Sequence, residues 1–227
     1  MIEVWRDFWT FVRRPQLLVP AGYSGASLRG VAALFGLHLL VMAGLIGAAL
    51  LAYGAGLSPD NFTMPKMSAG MLLVLAVIFA PVMEEIAFRS WLSGPGGWLR
   101  LWGGIAIVAL AIYLWNSNLV EPVSAAMLCA LALITLILVA PRMDTSRLRS
   151  WFARFFPALY WLSALAFGLM HLSNYSEPEL STLLWVIPQS WMGLLLGYAR
   201  VRWGMWANIA MHALHNLLAI SVWLLGQ

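Results

Sequence analysis

Long apolar segments are the feature that most constrains how this chain folds. About 20 apolar residues are needed for a helix to cross a hydrocarbon layer of ~30 Å. Seven stretches reach roughly that length, at residues 31–54, 68–93, 101–118, 122–140, 157–174, 181–199 and 204–225. They lack the alternating pattern of barrel strands. The composition, with 62% hydrophobic and only 10% charged residues, excludes an ordinary water-soluble domain. The sequence predicts an all-α fold, a polytopic transmembrane helix bundle with about seven spans.

Basic residues predict how the bundle is oriented. They cluster before the first span, before the fifth and after the sixth, at Arg6, Arg13, Arg14, Arg29, Arg142, Arg147, Arg149, Arg154, Arg200 and Arg202. Because such residues favour the cytoplasmic side, we expect a cytoplasmic N-terminus and Met143–Arg154 loop, and an outside Glu177–Glu179 loop and C-terminus. The net charge of +4 is spread along the chain, so the expected partner is the lipid bilayer and not nucleic acid. The protein is expected to be integral and multi-pass, in the plasma (inner) membrane if it is bacterial.

The first 30 residues differ from the spans. Charged residues interrupt the apolar ones before Pro15, which predicts a short interfacial helix and not a cleavable signal peptide. We interpret 1–30 as a cytoplasmic interfacial N-terminal arm and 31–227 as one transmembrane domain. The single cysteine, Cys129, lies in an apolar run and is interpreted as a packed small residue, since one cysteine forms neither an intrachain disulfide nor a cysteine-rich metal site.

Several polar residues lie inside the predicted spans. They are Glu84, Glu85 and Arg89 on the second span, His171 on the fifth, His212, His215 and Asn216 on the seventh, and His38 on the first. Ionisable residues are costly in a membrane and therefore suggest function. The alternative is that they are buried ion pairs and hydrogen-bonded histidines that hold helices together.

Helical spacing separates these residues into sets. Glu85 and Arg89 are four apart and share a face, which predicts a structural ion pair. Glu84 points about 100° away and is left without a local partner. His212 and Asn216 also share a face. At about 1.5 Å per residue, the second, fifth and seventh spans bring Glu84, His171 and His212 to similar depths.

One carboxylate, two imidazoles and an amide at one depth predict a hydrolytic site. Two neutral imidazoles can hold a divalent metal or position a water, and a glutamate can take the proton of that water. His38 is interpreted as a packing or hydrogen-bonded histidine. His215 either flanks the face of His212 or turns to a neighbouring helix. The motifs H-E-x-x-H and G-x-S-x-G are absent from the sequence.

Three segments resemble the motifs of one protein family. EEIAFRS at Glu84–Ser90 resembles E-E-x-x-x-R, FGLMH at Phe167–His171 resembles F-x-x-x-H, and HALHN at His212–Asn216 resembles H-x-x-x-N. These motifs are typical of the CAAX-protease and bacteriocin-processing family of intramembrane metalloproteases.

The resemblance implies an endopeptidase that acts on a peptide or protein substrate. It implies Glu84 as the water-activating base, and His171 and His212 as ligands of a metal, expected to be zinc, or of water. Asn216 would be a fourth ligand or an oxyanion donor, with Glu85 and Arg89 as the supporting pair. The substrate stays open among prenylated C-terminal peptides, leader peptides of bacteriocin type and membrane-protein tails.

The chain departs from the family pattern in two places. Residues 101–140 separate the glutamate helix from the F-x-x-x-H helix and are interpreted as an inserted helix pair, which preserves orientation. His215 stands where members often carry Asn. Pro81 and Pro188 are expected to kink the second and sixth spans or to serve packing. The alternative function is a non-enzymatic membrane immunity or scaffold protein that retains the motifs.

Overall fold

The structure is a computed structural model that describes residues 1–56, 67–117 and 146–225, with a few single positions between 119 and 132. Within that part of the chain the regular structure is helical, and no β-strand occurs. Five helical segments are long and apolar enough to cross a membrane: Gly25–Gly54, Ala69–Leu92, Ser146–Asn174, Leu180–Trp203 and Met205–Leu225. The predicted all-α polytopic bundle is therefore confirmed.

The α-helices are α1 (Ile2–Arg13), α2 (Gly25–Gly54), α3 (Ala69–Leu73), α4 (Ala80–Arg89), α5 (Pro95–Asn116), α6 (Ser146–Met170), α7 (Ile187–Trp203) and α8 (Met205–Leu225). A π-helix, Val74–Phe79, joins α3 to α4. Turns of 3₁₀-helix cover Ser90–Ser93, His171–Asn174 and Leu180–Val186. The predicted third span, 101–118, falls mainly on α5, and the predicted fourth span, 122–140, lies almost wholly outside the described residues.

The predicted start of the fifth span was wrong, and the structure decides between the two roles left open for Pro188. The helix of the fifth span begins at Ser146 and not at 157, so most of the predicted Met143–Arg154 loop is helical. Phe152 and Phe156 on this first part are buried while the residues at 146–151 are mostly exposed, so the turns form because one face packs on the bundle. Pro188 lies in the first turn of α7, where a missing N–H leaves no helical bond unmade, so it does not kink the middle of a span.

The N-terminal helix α1 packs against the bundle through its apolar face. Phe8 and Phe11 are buried, and the Phe8 ring meets Trp191 and Tyr198 edge-on at 5.6 and 5.4 Å. The indole Nε1 of Trp5 donates a hydrogen bond of 2.6 Å to a carbonyl of α2. The short helix predicted before Pro15 is confirmed, and these contacts attach it to α2 and α7.

Glycines let α6 and α7 approach closely. A Cβ added at Gly193 would lie 2.8 Å from the backbone oxygen of Ala164, so a larger residue there would force the two backbones apart. The Tyr160 hydroxyl donates a 2.6 Å hydrogen bond to the carbonyl of Leu194, also across this pair. Small residues and side-chain hydrogen bonds are common means of packing helices in membranes. This packing holds α6, whose end precedes His171, in place.

We expect single cysteines at Glu3 and Ser150 to be labelled from the cytoplasmic side and one at Pro178 from the other side. All three positions are exposed, and the expectation follows from the distribution of basic residues. The measurement is labelling of Glu3→Cys, Ser150→Cys and Pro178→Cys by an impermeant maleimide in oriented vesicles, after Cys129→Ala. Reversed labelling would contradict the assigned orientation.

Candidate active site

Glu85 on α4 is a buried carboxylate with three hydrogen-bond donors. Its Oε1 accepts from Nη1 of Arg89 at 2.6 Å and from Nδ1 of His212 at 2.9 Å, and its Oε2 accepts from Nδ2 of Asn208 at 2.5 Å. The predicted ion pair with Arg89 is thus present, and both of its side chains are fully buried. Because the other two donors lie on α8, Glu85 also joins the second span to the last one.

The Glu85 carboxylate orients the imidazole of His212. An ionised carboxylate only accepts hydrogen bonds, so Nδ1 of His212 carries the proton of their contact. In the neutral imidazole, Nε2 is then the acceptor. The supporting carboxylate therefore selects the tautomer that presents a lone pair to the other side of the ring.

Phe167 packs among the polar groups. The guanidinium carbon of Arg89 lies 3.9 Å from the centre of its ring, a cation–π contact. The same ring meets His171 edge-on at 4.9 Å and His212 at 5.5 Å. The aromatic residue that opens the FGLMH segment therefore provides an apolar wall against which the arginine and both imidazoles pack.

Glu84 lies beside His212 without bonding to it. Its Oε2 is 3.8 Å from Nε2 of His212, which is too long for a hydrogen bond. That oxygen is buried and has no hydrogen-bond partner among the described residues, although 24% of the side chain is exposed. One water molecule can bridge two such atoms. Glu84, for which helical spacing predicts no local partner, thus faces the unprotonated nitrogen of the oriented imidazole.

His171 was expected within the helix of the fifth span. It lies just beyond the end of α6, in a 3₁₀ turn. Its Nδ1 donates a 2.8 Å hydrogen bond to the carbonyl of Phe167, so its Nε2 is left to bind a ligand. The His171 ring packs on the same face-to-edge partner as His212, the ring of Phe167. It is therefore a member of the same polar neighbourhood.

Asn216 and His215 point to different helices. Nδ2 of Asn216 donates a 2.7 Å hydrogen bond to the carbonyl of Ala76, in the π-helix that precedes α4. Nδ1 of His215 lies 2.9 Å from Nε2 of His38 on α2, so one of these rings donates to the other. Of the two possibilities left open for His215, the structure shows the turn to a neighbouring helix. His38 is hydrogen-bonded, as interpreted.

Two residues of this region were not found from the sequence. Asn208 lies four residues before His212, so the spacing that links His212 to Asn216 was also a signal for Asn208. Arg200 was interpreted as a topological charge, yet its Nε donates to the carbonyl of Arg89 at 3.1 Å and its Nη2 to that of Ser90 at 3.4 Å. It thus binds the carbonyls at the end of α4, and no pattern within α7 indicates this contact.

The fit of a metal ion is partial. Both His171 and His212 donate from Nδ1 to a protein oxygen and present Nε2, which is the usual state of metal-binding histidines. However, in the part of the chain that the structure describes, no three His, Cys, Asp or Glu side chains are grouped closely enough to hold an ion. A catalytic zinc normally has three protein ligands, so no step of a reaction can be assigned to a metal from this geometry.

These observations define a class: a multi-pass helical membrane protein with a buried polar site built from carboxylates and imidazoles of three helical segments. The family described as type II CAAX prenyl endopeptidase Rce1-like matches residues 66–218. The match covers more than half of the chain and includes all of the residues predicted for the site, and the chain belongs to this family. No curated protein and no solved structure matches it. Membership supports an intramembrane endopeptidase of the CAAX-protease type.

Proposed function

We propose that the protein hydrolyses a peptide bond within the membrane by means of a water molecule activated by Glu84. The observation that supports this most is the contrast between two adjacent glutamates. Glu85 is fully buried and has three donors, whereas Oε2 of Glu84 has no hydrogen bond in the described part of the chain and lies 3.8 Å from Nε2 of His212. A structural role accounts for Glu85 but leaves Glu84 without one.

The proposed reaction uses both acceptors. A water between Glu84 and His212 would donate one hydrogen to Oε2 and the other to Nε2, which leaves an oxygen lone pair for the substrate carbonyl carbon. As the C–O bond forms, Glu84 takes a proton as general base. The same proton then passes to the amide nitrogen while the C–N bond breaks, which regenerates the carboxylate. Glu85 keeps the His212 imidazole in the tautomer that this arrangement requires.

A divalent ion, with zinc as the candidate, is a further proposal. It is supported by the two Nε2 atoms, and if an ion binds, His171 and His212 would hold it. When bound, such an ion supplies Lewis-acid polarisation of the substrate carbonyl or of the water. The residues of the chain would keep their roles: Glu85 and the Phe167 carbonyl orient the two imidazoles, and Glu84 handles the proton.

If this ion is part of the site, a membrane-permeant zinc chelator should lower cleavage and added zinc should restore it. The reason is that neither imidazole can replace a charge that polarises the carbonyl. Cleavage of a reporter peptide would be measured together with the metal content of the purified protein. Full activity of metal-free protein would show that no ion is needed and would leave Glu84 and His212 as the water-binding pair.

Among the possible substrates, the family description favours a prenylated C-terminal peptide. The test is cleavage by the purified protein in liposomes of three reporters: a prenylated C-terminal peptide, a leader peptide and a membrane-protein tail. We expect internal cleavage of the prenylated reporter, read from product masses. A folded protein that cleaves none of them would support the non-enzymatic immunity or scaffold function instead.

A further inference from the structure

In the π-helix Val74–Phe79, the backbone carbonyl of Ala76 has no donor within its own helix. In an α-helix it would accept from the N–H of Ala80, but that N–H donates to Leu75 in the wider π register. In the π register its donor would be the next residue along the chain. That residue is Pro81, which has no N–H. In the register that the structure shows, the carbonyl therefore lacks a backbone donor.

The side chain of Asn216 supplies the missing donor. Its Nδ2 reaches from α8 to the Ala76 carbonyl at 2.7 Å. A carbonyl without a partner is especially unfavourable inside a membrane, where water does not replace the lost bond. The amide of Asn216 thus stands in the place of the N–H that proline removed.

We propose that Asn216 is a positioning residue that stabilises the π turn before α4 and so aims Glu84 at His212. Glu84 comes three residues after Pro81, and His212 comes four residues before Asn216 on α8. The bond to Ala76 therefore ties together the two helices that carry the pair. This inference rests on the proposed function for its effect on catalysis, and it replaces the role of ligand or oxyanion donor.

The register of this turn controls where Glu84 points. A π turn contains one residue more than the corresponding α-helical turn, and one residue corresponds to about 100° of rotation. If the turn reverted to α-helix, α4 would rotate relative to α3 by about that angle. The hydrogen bond from Asn216 favours the register in which Oε2 of Glu84 lies 3.8 Å from Nε2 of His212.

A double-mutant cycle with Pro81 tests the proposal. Asn216→Leu removes the donor at nearly constant size, and Pro81→Ala restores a backbone N–H at the position that lacked it. We expect Asn216→Leu to lower kcat about 100-fold, as for a misplaced catalytic group, with little change in KM, and to lower the unfolding temperature. Measured against the Pro81→Ala protein, the same change should cost less than about 10-fold, because the new N–H replaces the lost amide.

Asn208→Leu, made in both backgrounds, is the matched control. Asn208 bonds to Glu85 and not to Ala76, so its effects should be the same with Pro81 and with Ala at that position. Equal losses of kcat and of unfolding temperature for Asn216→Leu in the two backgrounds would overturn the proposal and restore a direct catalytic role. If the unfolding temperatures couple while no variant, nor the unmutated protein, cleaves any reporter, the positioning contact stands and the proposed function fails.

Discussion

The Glu84→Gln protein is expected to lose cleavage by a factor of about 10²–10⁴, the usual cost of removing a general base, while its unfolding temperature stays that of the unmutated protein. Glutamine keeps the size and hydrogen-bonding capacity of the side chain but cannot take the proton of water. The fold should tolerate the change because Oε2 of Glu84 has no hydrogen bond to lose within the described residues. The loss is therefore expected in catalysis alone.

The measurement is reporter cleavage in liposomes with thermal unfolding of the same preparation. Glu3→Gln is the matched control, since Glu3 is exposed on α1 and the same loss of charge there should leave cleavage unchanged. Cleavage by Glu84→Gln at the full rate would exclude Glu84 as the base. The oriented His212 would then be the residue to test in that role.

Replacing Arg89 with alanine should instead destabilise the protein, by about 3–5 kcal/mol, as for other buried pairs that lose one partner. Glu85 would keep its bonds from His212 and Asn208 but lose its cation in a fully buried setting. The contact of the guanidinium with the Phe167 ring would also be lost. Both losses lower the free energy of unfolding, independently of any effect on the reaction.

Unfolding of the Arg89→Ala protein in detergent, induced by denaturant or by heating, would measure this loss of stability. Arg147→Ala is the control because Arg147 is exposed on α6, and its removal should change stability by less than 1 kcal/mol, as is usual at exposed positions. An Arg89→Ala protein as stable as the control would show that Glu85 does not need its cation. Equal destabilisation by Glu84→Gln and Arg89→Ala would favour the scaffold function over the enzyme.

Contacts within one helix could be predicted because helical geometry depends on sequence separation alone. A separation of four positions places Glu85 and Arg89 on one face of a helix, and the structure shows their ion pair. Apolar length likewise predicts a span, because the bilayer imposes a thickness. The helix before Pro15 follows from the same local patterns. For these features, no knowledge of the neighbouring helices is needed.

Contacts between helices were decided by tertiary packing. Periodicity shows which residues share a face but not which helix that face meets, so the bonds of Glu85 to Asn208 and His212 could not be derived. The pairing of His215 with His38 is of the same kind. The extra turns of α6 form because Phe152 and Phe156 find a surface to pack on, although the charges around them are typical of a loop.

The π turn separates most clearly what the sequence determines from what the tertiary structure decides. Pro81 predicts by itself that one carbonyl of the second span loses its donor, since proline has no N–H. Whether the helix then kinks, binds water or widens depends on which groups the fold brings to that carbonyl. The approach of α8 supplies the amide of Asn216 at 2.7 Å. The sequence alone determined the defect in the helix, and only the tertiary structure decided how it is satisfied, because the donor comes from a helix far away along the chain.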